Sequence, residues 1–364
     1  MSAAIAPDDI VATHADVAAD AREPLLVLEP LAAFLDEHGI GSGAIGARPI
    51  GDGHSNVTYL IERDGDPSHP VVLRRPPRGP LPPSAHDVLR EARLLLALQD
   101  TDARVPEVLA VCDDERVIGC PFYVMAFVPG EVIVWQTPPA LDTPEQRTLI
   151  GEQLIDALVE IHAVDWRAAG LEGFGKPTGY LERQLRRFGG LWEHNRTREL
   201  PAMERVQAWL GQHMPESGPA TIVHGDYRVG NTIFAPQPPA QLVAVLDWEM
   251  ATIGDPLADI GYMCMFWTEA EDPVEGLRAA LGNVTRAEGY PTRAELIARY
   301  EQQSGRSMRD LRWYVTLALW KSAVFMEGNY KRAVSGSTDD PYLKAFGEGV
   351  AQLAEQAEEM ALSD

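Results

Sequence analysis

Ile222-Val223-His224-Gly225-Asp226-Tyr227-Arg228-Val229-Gly230-Asn231-Thr232-Ile233-Phe234, followed shortly by Leu246-Asp247-Trp248-Glu249, is the stretch on which the reading of this chain turns. It runs as apolar strand, polar turn, short apolar strand, then a second apolar strand, Val243 to Leu246, that ends in acids. Asp, Asn and Gly gather in turns for conformational reasons alone, and His-Gly-Asp in isolation carries little. The ordered set is harder to assign to turn chemistry, because His224, Asp226, Asn231, Asp247 and Glu249 all fall at strand ends. A carboxylate, an amide oxygen and two further acids are what phosphoryl transfer with Mg²⁺ requires. That ion takes hard oxygen ligands, keeps several waters and uses only one or two protein carboxylates.

An Asp with an Asn five residues later has the spacing of the protein-kinase catalytic loop. The segment as a whole resembles the aminoglycoside phosphotransferase and choline kinase superfamily. That pattern runs His-Gly-Asp, Asn, then Asp-Trp-Glu or Asp-x-Asp, then Gly-Asp-Pro. All of its parts are present, the last as Ile253-Gly254-Asp255-Pro256-Leu257-Ala258-Asp259. The resemblance spans roughly residues 30 to 335. It implies an ATP-dependent phosphotransferase acting on a hydroxyl of an unidentified small molecule.

In the mechanism so implied, Asp226 accepts or orients the proton of the substrate hydroxyl. Asn231 and Asp247 bind Mg²⁺, and Glu249 either binds a second ion or supports the first indirectly. His224 holds the loop rather than reacting. Gly225 stands where regulated protein kinases carry Arg, so the resemblance implies activity without a phosphorylated activation loop. Asp255 and Pro256 read as a helix N-cap and first helical residue. His162, inside a helix ahead of the loop, reads as a packed core histidine.

Composition agrees with a cytoplasmic enzyme. A chain of 364 residues can bury two sizeable cores. The formal net charge of −23 opposes binding to nucleic acid or to an anionic membrane surface. It serves either solubility or the attraction of cationic substrates. Cys112, Cys120 and Cys264 form no CxxC pair and leave an odd thiol, so neither a zinc site nor a disulfide framework is indicated. The acidic N-terminus lacks the apolar core of a signal peptide, and no later run approaches ~20 uninterrupted apolar residues.

The expected fold is α+β and protein-kinase-like, in two lobes. Residues 1–24, rich in Ala and Asp, read as a flexible arm; residues 25–128 form a small β-rich nucleotide-binding lobe with one main helix; residues 129–364 form a larger, mostly helical lobe. Strands are expected at Val57 to Ile61, Val71 to Leu73, Val108 to Cys112 and Phe122 to Phe127, with a helix from about Ser84 to Leu98. Beyond Pro129-Gly130 the pattern turns helical. All eight tryptophans lie after residue 130, which supports a boundary near 128 to 131.

The nucleotide is expected on the first lobe. In Ile50-Gly51-Asp52-Gly53-His54-Ser55-Asn56, Gly51 and Gly53 let backbone amides approach phosphates, and Ser55 and Asn56 add donors. A plain turn ahead of the first clear strand is the other reading. Kinases place a Lys after the third strand, paired with a Glu on the next helix. Here Arg74 falls at that position and Glu91 is the natural partner. Arg can bind phosphate and carboxylate together, although two arginines on an edge strand would look the same. In Val124 to Gly130 the Ala126 carbonyl and Val128 amide would face the adenine edge.

Substrate identity is not legible. Trp313, Leu317, Trp320 and Val324 recur at helical spacing and read as core. Trp320 to Arg332 resembles a superfamily branch found fused to or beside acyl-CoA dehydrogenases. Glu355, Glu358 and Glu359 suit a solvated helix face as well as a site for cationic sugars, so antibiotic phosphorylation, like ATP against GTP preference and oligomeric state, is left open. A kinase-like module that binds nucleotide without turnover and acts through partners is the alternative; the intact set Asp226, Asn231 and Asp247 favours the enzyme.

Overall fold

A computed structural model describes residues 9–16, 22–51, 56–79, 86–272, 283–336 and 341–363. The chain divides into two compact units, one of residues 1–101 with 105–128 and one of residues 102–104 with 129–364.

The first unit is built on an antiparallel sheet of strands β3 (Ile45–Ile50), β4 (Val57–Arg63), β5 (Val71–Arg75), β6 (Val108–Cys112) and β7 (Phe122–Ala126), in the order β3-β4-β5-β7-β6. Side chains alternate between the faces of a strand. On β5, Val71 and Leu73 therefore join Tyr59, Ile61, Phe122 and Val124 in a core closed by helix α1 (Leu28–Glu37). Arg75 falls on that same face and is buried. Its guanidinium is satisfied by carbonyls, donating to those of Leu25 and Pro76. Arg74, one residue away, turns to the other face, toward Glu91 of α2 (Val88–Leu98). The Asp87 side chain caps α2 by accepting from the Arg90 amide at 2.9 Å, which places the helix start after the expected Ser84.

Two features depart from the sequence expectation. Strand β3 precedes what looked like the first strand, so Gly51 directly follows a strand instead of leading into one. Its Gly46 and Pro49 mask any alternation, and it forms as an edge strand registered on β4, where Pro is tolerated. Within residues 1–24, Ile10–Val11 forms a short strand β1 parallel to β2 (Leu26–Val27). Asp9 there accepts a hydrogen bond from Arg78 at 2.5 Å.

The second unit is mainly helical. Its helices are α3 (Pro144–Ala163), α4 (Tyr180–Asn195), α5 (Pro201–Gln212), α6 (Leu257–Phe266), α7 (Arg293–Ser304), α8 (Leu311–Val334) and α9 (Pro341–Leu362). Several starts carry legible caps: Thr143 with Pro144 at α3, and a capping box of Thr292 and Glu295 at α7. Short strands thread between the helices. Strand β10 (Thr232–Phe234) pairs with β11 (Leu242–Val245) and β8 (Glu131–Val132), while β9 (Thr221–Val223) pairs antiparallel with β12 (Thr252–Gly254).

The tryptophans explain their confinement to this unit. Trp166, Trp248, Trp267, Trp313 and Trp320 are buried with their indole N–H groups donating to carbonyls. Trp313 donates to Leu210 and Trp320 to Met203, which fastens α8 to α5. With Leu317 and Val324, both are core, as their spacing predicts. Among the described residues no helix is long and apolar enough to cross a membrane.

Helices α6 and α8 approach closely at Gly261, where an added Cβ would lie 2.6 Å from the Tyr314 backbone. Backbone cannot swing aside as a flexible side chain can. Gly261→Ala is therefore expected to lower stability by about 1–3 kcal/mol, the usual cost of overpacking. Urea denaturation would show this as a lower midpoint at unchanged slope.

Candidate active site

The candidate site of the second unit forms where β9 ends and the chain turns through His224, Gly225 and Asp226. Gly225 has φ +89°, and a Cβ there would stand 2.9 Å from the Met250 carbonyl oxygen. Both the left-handed conformation and the close approach of the β12 side exclude a larger residue. The turn points the amides of His224 and Gly225 inward, where both donate to the Asp259 carboxylate at 2.8 Å.

Asp259 is fully buried on α6 and lies 3.1 Å from His162 Nε2. His162 is the core histidine its position predicted, with Nδ1 2.7 Å from the Tyr300 hydroxyl. Burial holds the imidazole below its ordinary value, so it stays neutral, donating from Nε2 to Asp259 and accepting from Tyr300 on Nδ1. Burial works to raise the Asp259 carboxyl, yet the His162 hydrogen bond and the loop amides outweigh it and keep the group below its usual range.

His224 has a matching structural duty. Its Nε2 lies 2.8 Å from the Leu246 carbonyl and its Nδ1 accepts the Asp226 amide at 3.2 Å, an arrangement that suits the neutral ring. It thereby ties the loop to the strand end that carries Asp247. The Leu246 amide donates to the Asn231 carbonyl at 2.8 Å, closing the circuit. Tyr227, fully buried, anchors the loop below by donating to the Leu154 carbonyl at 2.6 Å.

These bonds bring Asp226, Asn231 and Asp247 together. Asn231 Nδ2 donates to the Asp226 carbonyl at 2.8 Å and to Asp226 Oδ2 at 2.7 Å. That commitment leaves Oδ1 as the atom Asn231 can offer to a metal ion. Asp247 adopts φ 65° and ψ 63°, a left-handed conformation rare for a residue with a side chain and often found at functional sites. Glu249 follows in a single 3-10 turn, half-buried. Amide and carboxylate oxygens fit Mg²⁺, which takes few protein ligands and completes its shell with water and phosphate. Among the described residues no group of three or more His, Cys, Asp or Glu gathers to hold an ion unaided.

Two further residues reach Asp226 and were not singled out from sequence. Arg228 Nε lies 3.7 Å from Asp226 Oδ1, and its guanidinium sits 5.5 Å from the Phe266 ring centroid. Tyr262 faces the Asp226 charge; burial first, and then that negative charge, push its phenol well above its ordinary value. The available signal was spacing on α6, since Tyr262 follows Asp259 by one helical turn. Asp255 accepts from the Leu257 amide at 3.0 Å and the Tyr314 hydroxyl at 2.8 Å, but Pro256 holds the N-cap of α6 and Leu257 is its first residue, one position later than the sequence reading placed them.

In the first unit, Arg74 Nε donates to Glu91 Oε2 at 2.9 Å, and Asn56 Nδ2 lies 3.4 Å from the same oxygen. Glu91 is buried at 2% exposure, so the cation beside it is a specific partner rather than surface decoration. Gly51 has φ +80°. Gly53 and Ser55 lie outside the described residues. Ala126 ends β7 with its amide donating to the Glu107 carbonyl at 2.8 Å, and Val128 follows it half-buried.

Comparison with known proteins places these features. A family model described as the phosphotransferase enzyme family matches residues 46–297. Acyl-CoA dehydrogenase family member 10 of Mus musculus is 37% identical over 317 residues, which cover 86% of this chain and 29% of that protein. The chain thus spans under a third of that relative's length. A Ralstonia eutropha protein proposed to be an aminoglycoside phosphotransferase superposes with a TM-score of 0.77 at 33% identity, covering 92% of this chain and 97% of that one. Choline kinase from Cryptosporidium parvum shares the fold at a TM-score of 0.59 and 12% identity, with 86% and 89% of the two chains covered.

Asp259→Asn keeps the shape but turns one acceptor oxygen into a donor that faces donors. The variant is expected to lose roughly 1.5–3 kcal/mol at pH 7, the worth of a hydrogen bond to a charged group. The sign follows from the lowered Asp259 value: its contribution is complete above the unfolded carboxyl's range near ~4 and fades as pH falls through the folded value. Denaturation at pH 7 and pH 3 should show the gap between wild type and variant closing in acid.

Proposed function

Because this chain belongs to the phosphotransferase enzyme family, we propose that it transfers the γ-phosphoryl group of ATP to a hydroxyl of a small molecule. The observation that carries the reading is the Asp226 carboxylate, held by Asn231 on the circuit that also carries Asp247. A general base must be fixed within hydrogen-bond reach of the proton it takes, and Asn231 fixes this one through both its carbonyl and its carboxylate.

In this mechanism the acceptor hydroxyl donates its hydrogen bond to Asp226. As its oxygen attacks the γ-phosphorus, the bond to the leaving oxygen of ADP breaks and the proton passes to the Asp226 carboxylate. Asn231 and Asp247 hold Mg²⁺, assisted by Glu249; the ion supplies neutralisation of the phosphate charge. Arg74, oriented by Glu91, gives the phosphates a planar cation, and Gly51 and Asn56 flank the segment that would approach them. The Ala126 carbonyl and Val128 amide take the adenine edge. The reading puts the reaction in the cytoplasm, where ATP and Mg²⁺ are plentiful.

The second reading, a nucleotide-binding module that acts through partners without useful turnover, draws on Arg74 standing where a Lys is usual. Arg holds its charge in a fork, not at a point, and cannot follow a moving phosphate in the same way.

Removing a general base costs about 10²–10⁴ in rate. Asp226→Ala is therefore expected to lose most ADP release, measured with Mg²⁺ across cationic, neutral and anionic hydroxyl compounds, while still binding ATP. Asp247→Ala should lose nucleotide affinity as well as turnover, because its carboxylate serves the metal. Wild-type activity in both variants would sink the mechanism. Tight ATP binding by wild type with no acceptor that accelerates ADP release would favour the module.

Arg74→Ala should weaken ATP binding by calorimetry more than it alters the melting temperature. Unchanged affinity would reduce Arg74 to a structural partner of Glu91.

A further inference from the structure

Lys321 lies on the inner side of α8, half-buried, with its ammonium 4.6 Å from the centroid of the buried Phe188 ring on α4. No carboxylate among the described residues pairs with it. Its other charged neighbour on α4 is Arg187, a like charge, whose guanidinium stands 5.9 Å from the same ring. Elsewhere in this unit half-buried cations rest on acids or on carbonyls: Arg104 on Glu160, Arg198 on Glu327, Arg293 on Glu269 and Asp272, Arg299 on Asp156, Arg286 on the Asp272 and Ala270 carbonyls, Lys331 on that of His194. Burial first, and then Arg187, draw Lys321 down to about 8, against the pull of Asp259.

A cation over an aromatic ring gains about 0.5–2 kcal/mol, whereas the effective penalty for a buried unpaired ion is several kcal/mol. A methionine would fill the same space without that penalty. An ammonium kept there, next to a guanidinium, suits a counter-charge that arrives from outside. The surroundings indicate its form. Phe325, one turn along α8, is 44% exposed and meets Phe188 edge-on at 5.1 Å, offering an apolar wall beside the two cations. The location is also relevant. Asp259, which holds the catalytic turn, is within electrostatic reach of Lys321, and α6 packs along α8 through Gly261 against Tyr314 and Met265 against Ser322. Of the C-terminal acids that could have met a polycation, Glu358 is already occupied by Arg205.

We propose that Lys321 and Arg187 form an anion-recognition site that receives a carboxylate or phosphate head group of the acceptor, with its apolar segment against Phe325. The assignment to the acceptor rests on the phosphotransferase reading; the site itself does not. It sets the acceptor apart from polycationic sugars by the sign of its charge.

The test begins with binding, which needs no turnover. Hexanoate and hexyl phosphate are titrated into the full chain by calorimetry, with hexanamide as the uncharged control. At least one anion should bind, hexanamide about tenfold or more weaker, and the preferred anion identifies the head group. Lys321→Met should lose about tenfold or more of that affinity, while Lys321→Arg, which keeps the charge, stays within about threefold. Thermal melts confirm that both variants fold. Equal binding of hexanamide, no binding of either anion, or full affinity in Lys321→Met overturns the site.

Turnover then tests the assignment to the acceptor. With an acceptor found by ADP release, Lys321→Met should raise KM about tenfold with kcat nearly unchanged. A polycationic acceptor, or an unchanged KM, overturns the assignment and leaves the phosphotransferase reading standing. Unaltered turnover in Asp226→Ala would do the reverse, ending that reading while the anion titrations retain their meaning.

Discussion

The architecture of the second unit turns on one buried carboxylate. Asp259 accepts the amides of His224 and Gly225 and faces His162, and no water is needed to satisfy it. A tight turn buried at a strand end exposes amides that regular pairing cannot use, and an unpaired buried amide costs about as much as a lost hydrogen bond. Asp259 removes that cost and, in doing so, fixes where Asp226 emerges. The demand then passes backward through the fold. Asp259 can reach the turn only if α6 starts where it does, which Asp255 secures through Leu257 and Tyr314, and only if α6 lies close on α8, which Gly261 permits. Helix packing therefore sets the position of the loop.

Strain is concentrated in the same place. Gly225 absorbs one left-handed conformation at little cost, but Asp247 takes another with a side chain present. A turn would ordinarily use Gly or Asn at such a position. The carboxylate is kept, and the surrounding bonds from His224 and Asn231 to Leu246 hold the strained backbone in register. That pattern suits a residue retained for its oxygens and not for its conformation.

Much of this was legible in the sequence, and what was missed has physical reasons. The helices of the second unit announce themselves by apolar period and caps, so Arg293–Ser304 could be read residue by residue. Strands β4 to β7 are rich in β-branched and aromatic residues. Strand β3 is not: Gly46 and Pro49 have no strand preference, and pairing with β4 alone makes it extended. Strand β1, two residues long, exists only through its neighbour. The ordered acids and Asn of the site were readable because their spacing is local. Arg228, Tyr262 and Lys321 were not, since Arg228 meets Phe266, Tyr262 faces Asp226 and Lys321 lies over Phe188, each on another element.

Charge placement separates the structural arginines from the functional candidates. Arg74 and Arg75 are neighbours with opposite fates, because the strand's alternation sends one to Glu91 and the other into carbonyls beneath α1. A Lys at 75 would offer three donors without the fork that spans separated carbonyls, so Arg there is a packing solution. At 74 the fork engages a buried carboxylate through Nε. The chain as a whole carries a net charge of −23. Long-range attraction in such a protein favours cationic visitors, so an anion must be drawn by short-range contacts strong enough to overcome that field. Such contacts work best half-buried, where solvent screening is weak and the aromatic wall lowers the local dielectric. Lys321 over Phe188 meets that condition, and a cation spread freely over the surface would not.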